Sequence, residues 1–230
     1  MARKIPAKKK AVKLKMSQTE QIVATQQILE QIGLGQPSSE TLQTVLEQVS
    51  SATKFPAVVL EIFDAPSRAM IWKAVQGIDI AAIGMSFADS ISGEVVRSRS
   101  AHMETNLSAR TDPYSEFWKA KGLSYLACFP LTTGSDRCSG TLTFAHSETV
   151  DIDKSLLQWL QGVATVLGFF CEANMAREAT QNLLSEAETV HQKKEGDLKE
   201  AREKASQEFQ ESLDRARNEV KETRKALQDI

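Results

Sequence analysis

The 230 residues exceed one ordinary domain of about 100–150 residues but fall short of two, which allows a single core with extensions. Apolar residues at 41% can fill such a core, no apolar run approaches the roughly 18 residues of a membrane span, and the N-terminus lacks a signal-like apolar stretch, so a soluble, cytoplasmic protein is expected. Net charge is −2, and the odd count of three cysteines, Cys128, Cys138 and Cys171, without metal-ligand spacing, argues against a disulfide framework or a zinc site.

Charge is unevenly spread. MARKIPAKKKAVKLK holds seven basic residues, no acid, Pro6 and few large apolar groups, so residues 1–16 are expected to form a disordered basic tail. Such a tail could contact nucleic acid or anionic lipid through counterion release, or simply solubilise an acidic body.

Ser17 and Glu20 form a capping box, which starts a first helix with Ile22, Leu29 and Ile32 at heptad-like spacing. GLGQPSS ends it and caps a second helix, whose Leu42, Val45, Leu46 and Val49 fall on one apolar face that should pack on a sheet. AVVLEIF (57–63), a turn at Ala65-Pro66-Ser67 and AMIWKAV (69–75) read as a hairpin, with Glu61 and Lys73 marking a partly solvated face. In the 25-residue connection that follows, Ser90 or Ser92 could cap a short helix around Gly93–Arg97. HMETNL (102–107) is a plausible third strand, and Pro113 can open a helix at its first turn.

From Pro113 to His146 the order is an aromatic helix, an apolar strand, a polar turn and a second strand. This order resembles the C-terminal half of a GAF domain. The apolar strand ends in Pro130-Leu131, and the next opens at Gly140 and runs GTLTFAH, matching the G-x-L-x-x-x-H of tetrapyrrole-binding members through His146. The resemblance implies an α+β fold: an antiparallel sheet with helices on one face and a loop-covered pocket on the other, spanning residues 17–176. It also implies where a ligand would sit. Trp72, Phe87, Asn106, Tyr114, Trp118, Thr141, Thr143 and His146 are the expected pocket residues. Tyr114, Phe117 and Trp118, within one helical turn, read equally as core, and His146 as a strand-end histidine near the surface. Thr141 and Thr143 are telling, because alternating hydroxyls on an inner strand need partners.

Departures from the family narrow the chemistry. Bilin-binding members attach their chromophore through a cysteine at a position that here reads Pro113-Tyr114, so no covalent bilin is expected. The Asn-Lys-x-x-Phe-x-x-x-Asp-Glu type of motif of cyclic-nucleotide members is missing. Members that reduce free methionine sulfoxide use cysteines in the pocket-covering segment, and residues 77–127 contain none. Cys128 and Cys138 lie ten apart across a turn, a spacing that lets them come close, but a reductase built on them would depart from that family.

From Asp151 the sequence reads as one long helix. Leu156, Leu160, Val163, Leu167 and Phe170 form an apolar stripe, and Leu160, Val163 and Leu167 are the expected centre of a parallel homodimer. Residues 177–230 turn to Glu, Lys, Arg, Gln and Ala, with an eleven-residue step from Leu198 to Phe209 and alanines at several seam positions, a coiled coil or a solvated single helix. The combined expectation is a non-catalytic sensor that binds a small ligand without covalent attachment and signals through dimeric helices to an output partner. The alternatives are a structural or adaptor protein acting through its coiled coil and basic tail, and a thiol reductase.

Overall fold

The computed structural model describes residues 11–34, 38–79, 84–86, 90–134 and 137–228. The chain divides into one unit ending at Met175 and a second beginning at Ala176.

In the first unit the basic segment is not wholly tail. Val12–Leu14 (β1) is a strand paired in parallel with residues 150–152, and Leu14 and Met16 are buried, which corrects the disorder expected over residues 1–16. Residues 1–10 lie outside the described ones. Next, Gln18–Leu34 (α1) opens on the expected capping box: the Ser17 N–H donates to Glu20 Oε2 at 2.7 Å and the Glu20 N–H to Ser17 Oγ at 3.3 Å. Its core face is Ala24 and Ile28, so Ile22 and Leu29 are left 67% and 49% exposed. Ser38 caps Ser39–Thr53 (α2) by accepting from the Thr41 N–H at 3.1 Å, and Leu42, Val45, Leu46 and Val49 are all buried.

Ala57–Asp64 (β2) and Ala69–Gln76 (β3) form the expected hairpin, and Gly84–Ser86 (β4) extends it. Ser90 caps Ile91–Ser98 (α3). The third strand, His102–Glu104 (β5), stops three residues short of expectation. There Glu104 Oε1 accepts the Asn106 N–H at 2.9 Å and the chain turns into one 3₁₀ turn at Leu107–Ala109. Pro113–Ala120 (α4) has its proline in the first turn and Asp112 as cap, accepting the Ser115 N–H at 2.8 Å.

Tyr125–Thr132 (β6) and Cys138–His146 (β7) follow, and the sheet order is β4-β3-β2-β7-β6-β5, antiparallel throughout. Pro130 is tolerated within β6 because β5 pairs only with residues 126–128, which leaves the strand beyond them free on that side. Gly140 is required by close approach, since a Cβ there would stand 1.9 Å from the Glu61 carbonyl oxygen. Val150–Ile152 (β8), the partner of β1, delays the last helix, and Lys154–Gln228 (α5) starts only after Asp153, which accepts the Leu156 N–H at 2.8 Å.

Alternation along the strands builds two layers. Val58, Leu60, Ile62, Phe129, Leu142 and Phe144 pack with α1, α2 and α5, while Ala57, Val59, Leu126, Cys128 and Ala145 pack with α3 and α4. Leu160 and Leu167 are fully buried and Val163 is 5% exposed in the first layer. The expected homodimer seam is thus an intramolecular one. A leucine gains about 1.5–3 kcal/mol from burial, and the sheet offers that burial within one chain. By length and composition α5 could also cross a bilayer, but its apolar stretch supplies Leu156, Leu160, Ala164, Leu167 and Cys171 to this core. Two hydrogen bonds set α1 and α5 side by side in one direction, Gln21 Nε2 to Ser155 Oγ and Trp159 Nε1 to Thr25 Oγ1, both 2.9 Å and each a step of four along its helix.

The second unit is the remainder of α5. Leu183, Leu184, Val190, Leu198, Phe209 and Val220 are each more than half exposed there.

Candidate functional site

The residue sequence reasoning undervalued is Glu61. Placed in an apolar strand, it suggested a solvated face, yet it is fully buried on the α3/α4 side of the sheet. The signal was present as a carboxylate in AVVLEIF, but whether helices cover a strand face is decided by distant residues. Around Glu61 the neighbouring elements each place at least one polar group. Tyr114, from the first turn of α4, donates its hydroxyl to Glu61 Oε1 at 2.7 Å, and Thr141 of β7 donates to Oε2 at 3.5 Å. Ser92 of α3 lies 2.7 Å from the Tyr114 hydroxyl and 3.9 Å from Cys128 Sγ. Thr143 Oγ1 is 3.1 Å from the same thiol. The protons can all be oriented one way, from Thr143 through Cys128, Ser92 and Tyr114 to the carboxylate.

A β-bulge completes the site. Glu61 lies opposite Trp72 while Leu60 lies opposite Ala74, so Lys73 is left unpaired and the alternation of β3 shifts by one. This shift turns Trp72 onto the face of Glu61, where its ring centroid is 5.1 Å from that of Phe117 and 6.1 Å from that of Trp118. Tyr114 and Trp118 meet edge to face at 5.9 Å. The indole N–H groups of Trp72 and Trp118 are buried and find no hydrogen-bond partner among the described residues. Arg110 ties the two covering helices together, reaching Glu94 of α3 at 2.6 Å and Asp112 at the start of α4 at 2.8 Å.

Burial sets the electrostatics. Desolvation pushes the Glu61 carboxyl up to about 7, against the opposing pull of hydrogen bonds from Ser92, Tyr114 and Thr141. Burial likewise raises the Tyr114 hydroxyl well above its ordinary value and pushes the Cys128 thiol up to about 12, in both cases helped by the Glu61 charge. Among the described residues no cationic side chain pairs with Glu61. The arrangement can hold a charge or a proton in a dry aromatic setting. It does not make a thiol nucleophile, since a thiol this resistant to ionisation stays neutral at ordinary pH.

The expected pocket residues divide accordingly. Trp72, Tyr114, Trp118, Thr141 and Thr143 come together on this face. Asn106 does not; it is exposed beside the 3₁₀ turn, where its Oδ1 accepts from Ser108 at 2.5 Å. His146 does not either: it shares parity with Leu142 and Phe144, so its ring lies 6.4 Å from Phe55 on the opposite face and its Nδ1 accepts the Glu148 N–H at 2.9 Å. Phe87 lies outside the described residues. Cys128 and Cys138 do not meet, because Cys138 lies opposite Thr132, four residues or roughly 13 Å along β6 from Cys128. A separate open groove of about 770 Å³, lined by Ile22, Thr25, Leu29 and Trp159, runs along α1 and α5, far in character from this polar cluster.

Comparison with known proteins follows the same outline. Among curated proteins no sequence matches significantly. Of solved structures, the GAF domain of a phosphoenolpyruvate-protein phosphotransferase from Coxiella burnetii is similar at 15% identity and a TM-score of 0.61, over 70% of this chain and 98% of that one. The corresponding Acinetobacter domain gives 15% and 0.60, over 70% and 97%. Free methionine-R-sulfoxide reductase from Neisseria meningitidis, solved with its substrate, gives 17% and 0.59, over 74% and 98%. At such identities the likeness is one of fold. The family model for the GAF domain, however, matches residues 35–172, well over half of the sequence, and the chain belongs to the GAF domain family.

Proposed function

We propose that this chain is a non-catalytic regulatory domain that binds a small ligand reversibly on the α3/α4 face of its sheet and signals through its flanking helices. The supporting observation is the buried cluster of Glu61, Tyr114, Ser92, Thr141, Thr143 and Cys128 beside two unpartnered indole N–H groups. Buried polar groups are normally matched, and a face that keeps unmatched donors near a buried carboxylate suits an exchangeable partner. A non-enzymatic role is favoured by the separation of the thiols and the resistance of Cys128 to ionisation. Three unpaired cysteines also suit a cytoplasmic setting.

For the helices, a homodimer through Ile22, Leu29 and the Trp159 groove fits better than one through buried Leu160. The basic N-terminal residues would add polyanion contact, and the charged helix beyond Ala176 would reach an output partner. One observation favours an adaptor instead: Trp118 and Tyr114 are fully buried and fill much of this face themselves.

Native mass spectrometry of protein isolated from its own host separates the two. The regulatory reading expects an added small mass that Trp118→Ala loses while its oligomeric state holds. Bare wild-type protein would favour the adaptor.

A further inference from the structure

Glu61 presents an imbalance that the fold alone does not resolve. An ionised carboxylate offers about four acceptor sites, and three groups, Ser92, Tyr114 and Thr141, are placed to meet them. Among the described residues no cation neutralises it, although it is fully buried, so once it ionises above about pH 7 its charge costs several kcal/mol unless a counter-charge arrives. Four aromatic rings also lie on this side: Trp72 directly across the bulge, then Trp118, Phe117 and Tyr114 in edge-on contact. Ring faces attract cations and do nothing for anions. The hydrogen bonds from Ser92, Tyr114 and Thr141 favour the ionised form.

Resting on the ligand-binding reading above, we propose that this face is a site for a small organic cation, an alkylammonium or quaternary ammonium compound, with Glu61 as its counter-charge and Trp72 and Trp118 as its aromatic wall. The two unpartnered indole N–H groups add a second requirement, an acceptor such as a hydroxyl or carboxylate on the same molecule. An anionic ligand would meet the Glu61 charge, and a neutral one would leave it unpaired.

The site is linked to pH. Cation binding needs the carboxylate, which burial holds protonated up to about pH 7, so affinity for a permanently charged ligand rises by about tenfold between pH 6 and pH 8. The titratable groups facing Glu61 are Tyr114 from α4 and Cys128 from β6, and burial keeps both neutral across that interval. The remaining neighbours, Ser92 of α3, Thr141 of β7 and Trp72 of β3, do not titrate.

Calorimetric titration of the full chain with choline, ethanolamine and glycine betaine, set against the neutral isostere 3,3-dimethylbutanol, tests this. The cation series binds, choline gains about tenfold from pH 6 to pH 8, and Glu61→Gln lowers affinity at pH 8 by at least about tenfold and flattens the pH dependence. Circular dichroism verifies that the variant is folded, and the pH profile of the wild type stands as a second measurement that needs no variant. Binding of the neutral isostere as tightly as choline, or of choline by Glu61→Gln as tightly as by wild type, overturns the cation assignment while reversible binding survives. No binding by any of the three ammonium compounds also overturns it; the ligand-binding reading then stands if host-derived protein still carries an added mass, and falls with it if not.

Discussion

The two faces of one sheet are made from the same strands and have opposite characters. Toward α1, α2 and α5, β7 presents Leu142 and Phe144, and Phe144 joins Phe55 and Phe129 with ring centroids 5.1 and 5.7 Å apart. Toward α3 and α4 the same strand presents Thr141 and Thr143, alternating with those apolar residues. One face gains stability from dispersion and area, and the other holds a carboxyl, four hydroxyl-bearing side chains and a thiol in a dry place. Dry polar groups contribute little to folding, so the second face adds less stability than the first, and under the proposed function it is the face that would discriminate between ligands.

The comparison breaks most visibly on the apolar side. Leu160→Asp places an unpaired charge at a fully buried position, and the expected loss of several kcal/mol is comparable to the whole stability of about 5–15 kcal/mol of a domain. Circular dichroism should show an unfolded or strongly destabilised first unit. A folded variant with changed oligomeric state would return this stripe to an intersubunit seam.

On the polar side the larger effect depends on pH. The Glu61 carboxyl titrates near 4.5 when unfolded and about 7 when folded, so the folded chain holds its proton more tightly. Its stabilisation is complete below about pH 4.5 and is lost as pH rises through 7, a change of roughly 3 kcal/mol. Urea unfolding of the unliganded protein at pH 5 and pH 8 should show wild type losing stability relative to Glu61→Gln. Parallel curves would mean that Glu61 is solvated.

Thr143→Val removes the 3.1 Å contact to Cys128 and should lower stability by about 1 kcal/mol, a smaller change than any large-to-small substitution among Phe55, Phe129 and Phe144, which costs about 3–5 kcal/mol. The least effect on folding belongs to a third surface. Ile22→Glu with Leu29→Glu alters exposed residues and should change monomer stability by no more than about 0.5 kcal/mol at each site, while sedimentation detects loss of any dimer built on α1.

Local chemistry made much of the architecture legible. The Ser17–Glu20 box, the Leu42–Val49 stripe, the proline turn of the hairpin and Pro113 are each signalled by residues a few positions apart, and all are where the sequence puts them. Long-range facts were not legible. A stripe such as Leu156–Leu167 looks the same whether a sheet or a second helix covers it. The orientation of Trp72 depends on one unpaired lysine in a bulge, and His146 was lost from the site through strand parity alone. The strands β1 and β8 are three residues each and pair across 138 positions, too short and too distant for any periodic signal.

That parallel pairing has an electrostatic consequence. Because α1 and α5 set off together and in the same direction, their peptide dipoles align and bring two partial positive ends side by side, an arrangement that repels unless negative charge is supplied. Glu20 stands in the first turn of α1 and Asp153 caps α5. The Ser17 backbone N–H, then its hydroxyl, hold the Glu20 carboxyl below its ordinary value, so its contribution is present above about pH 4.5 and fades as acid takes the charge away. Acid therefore loosens the junction of the two helices while it firms the face around Glu61, and the domain carries two carboxyls with opposite preferences for the proton.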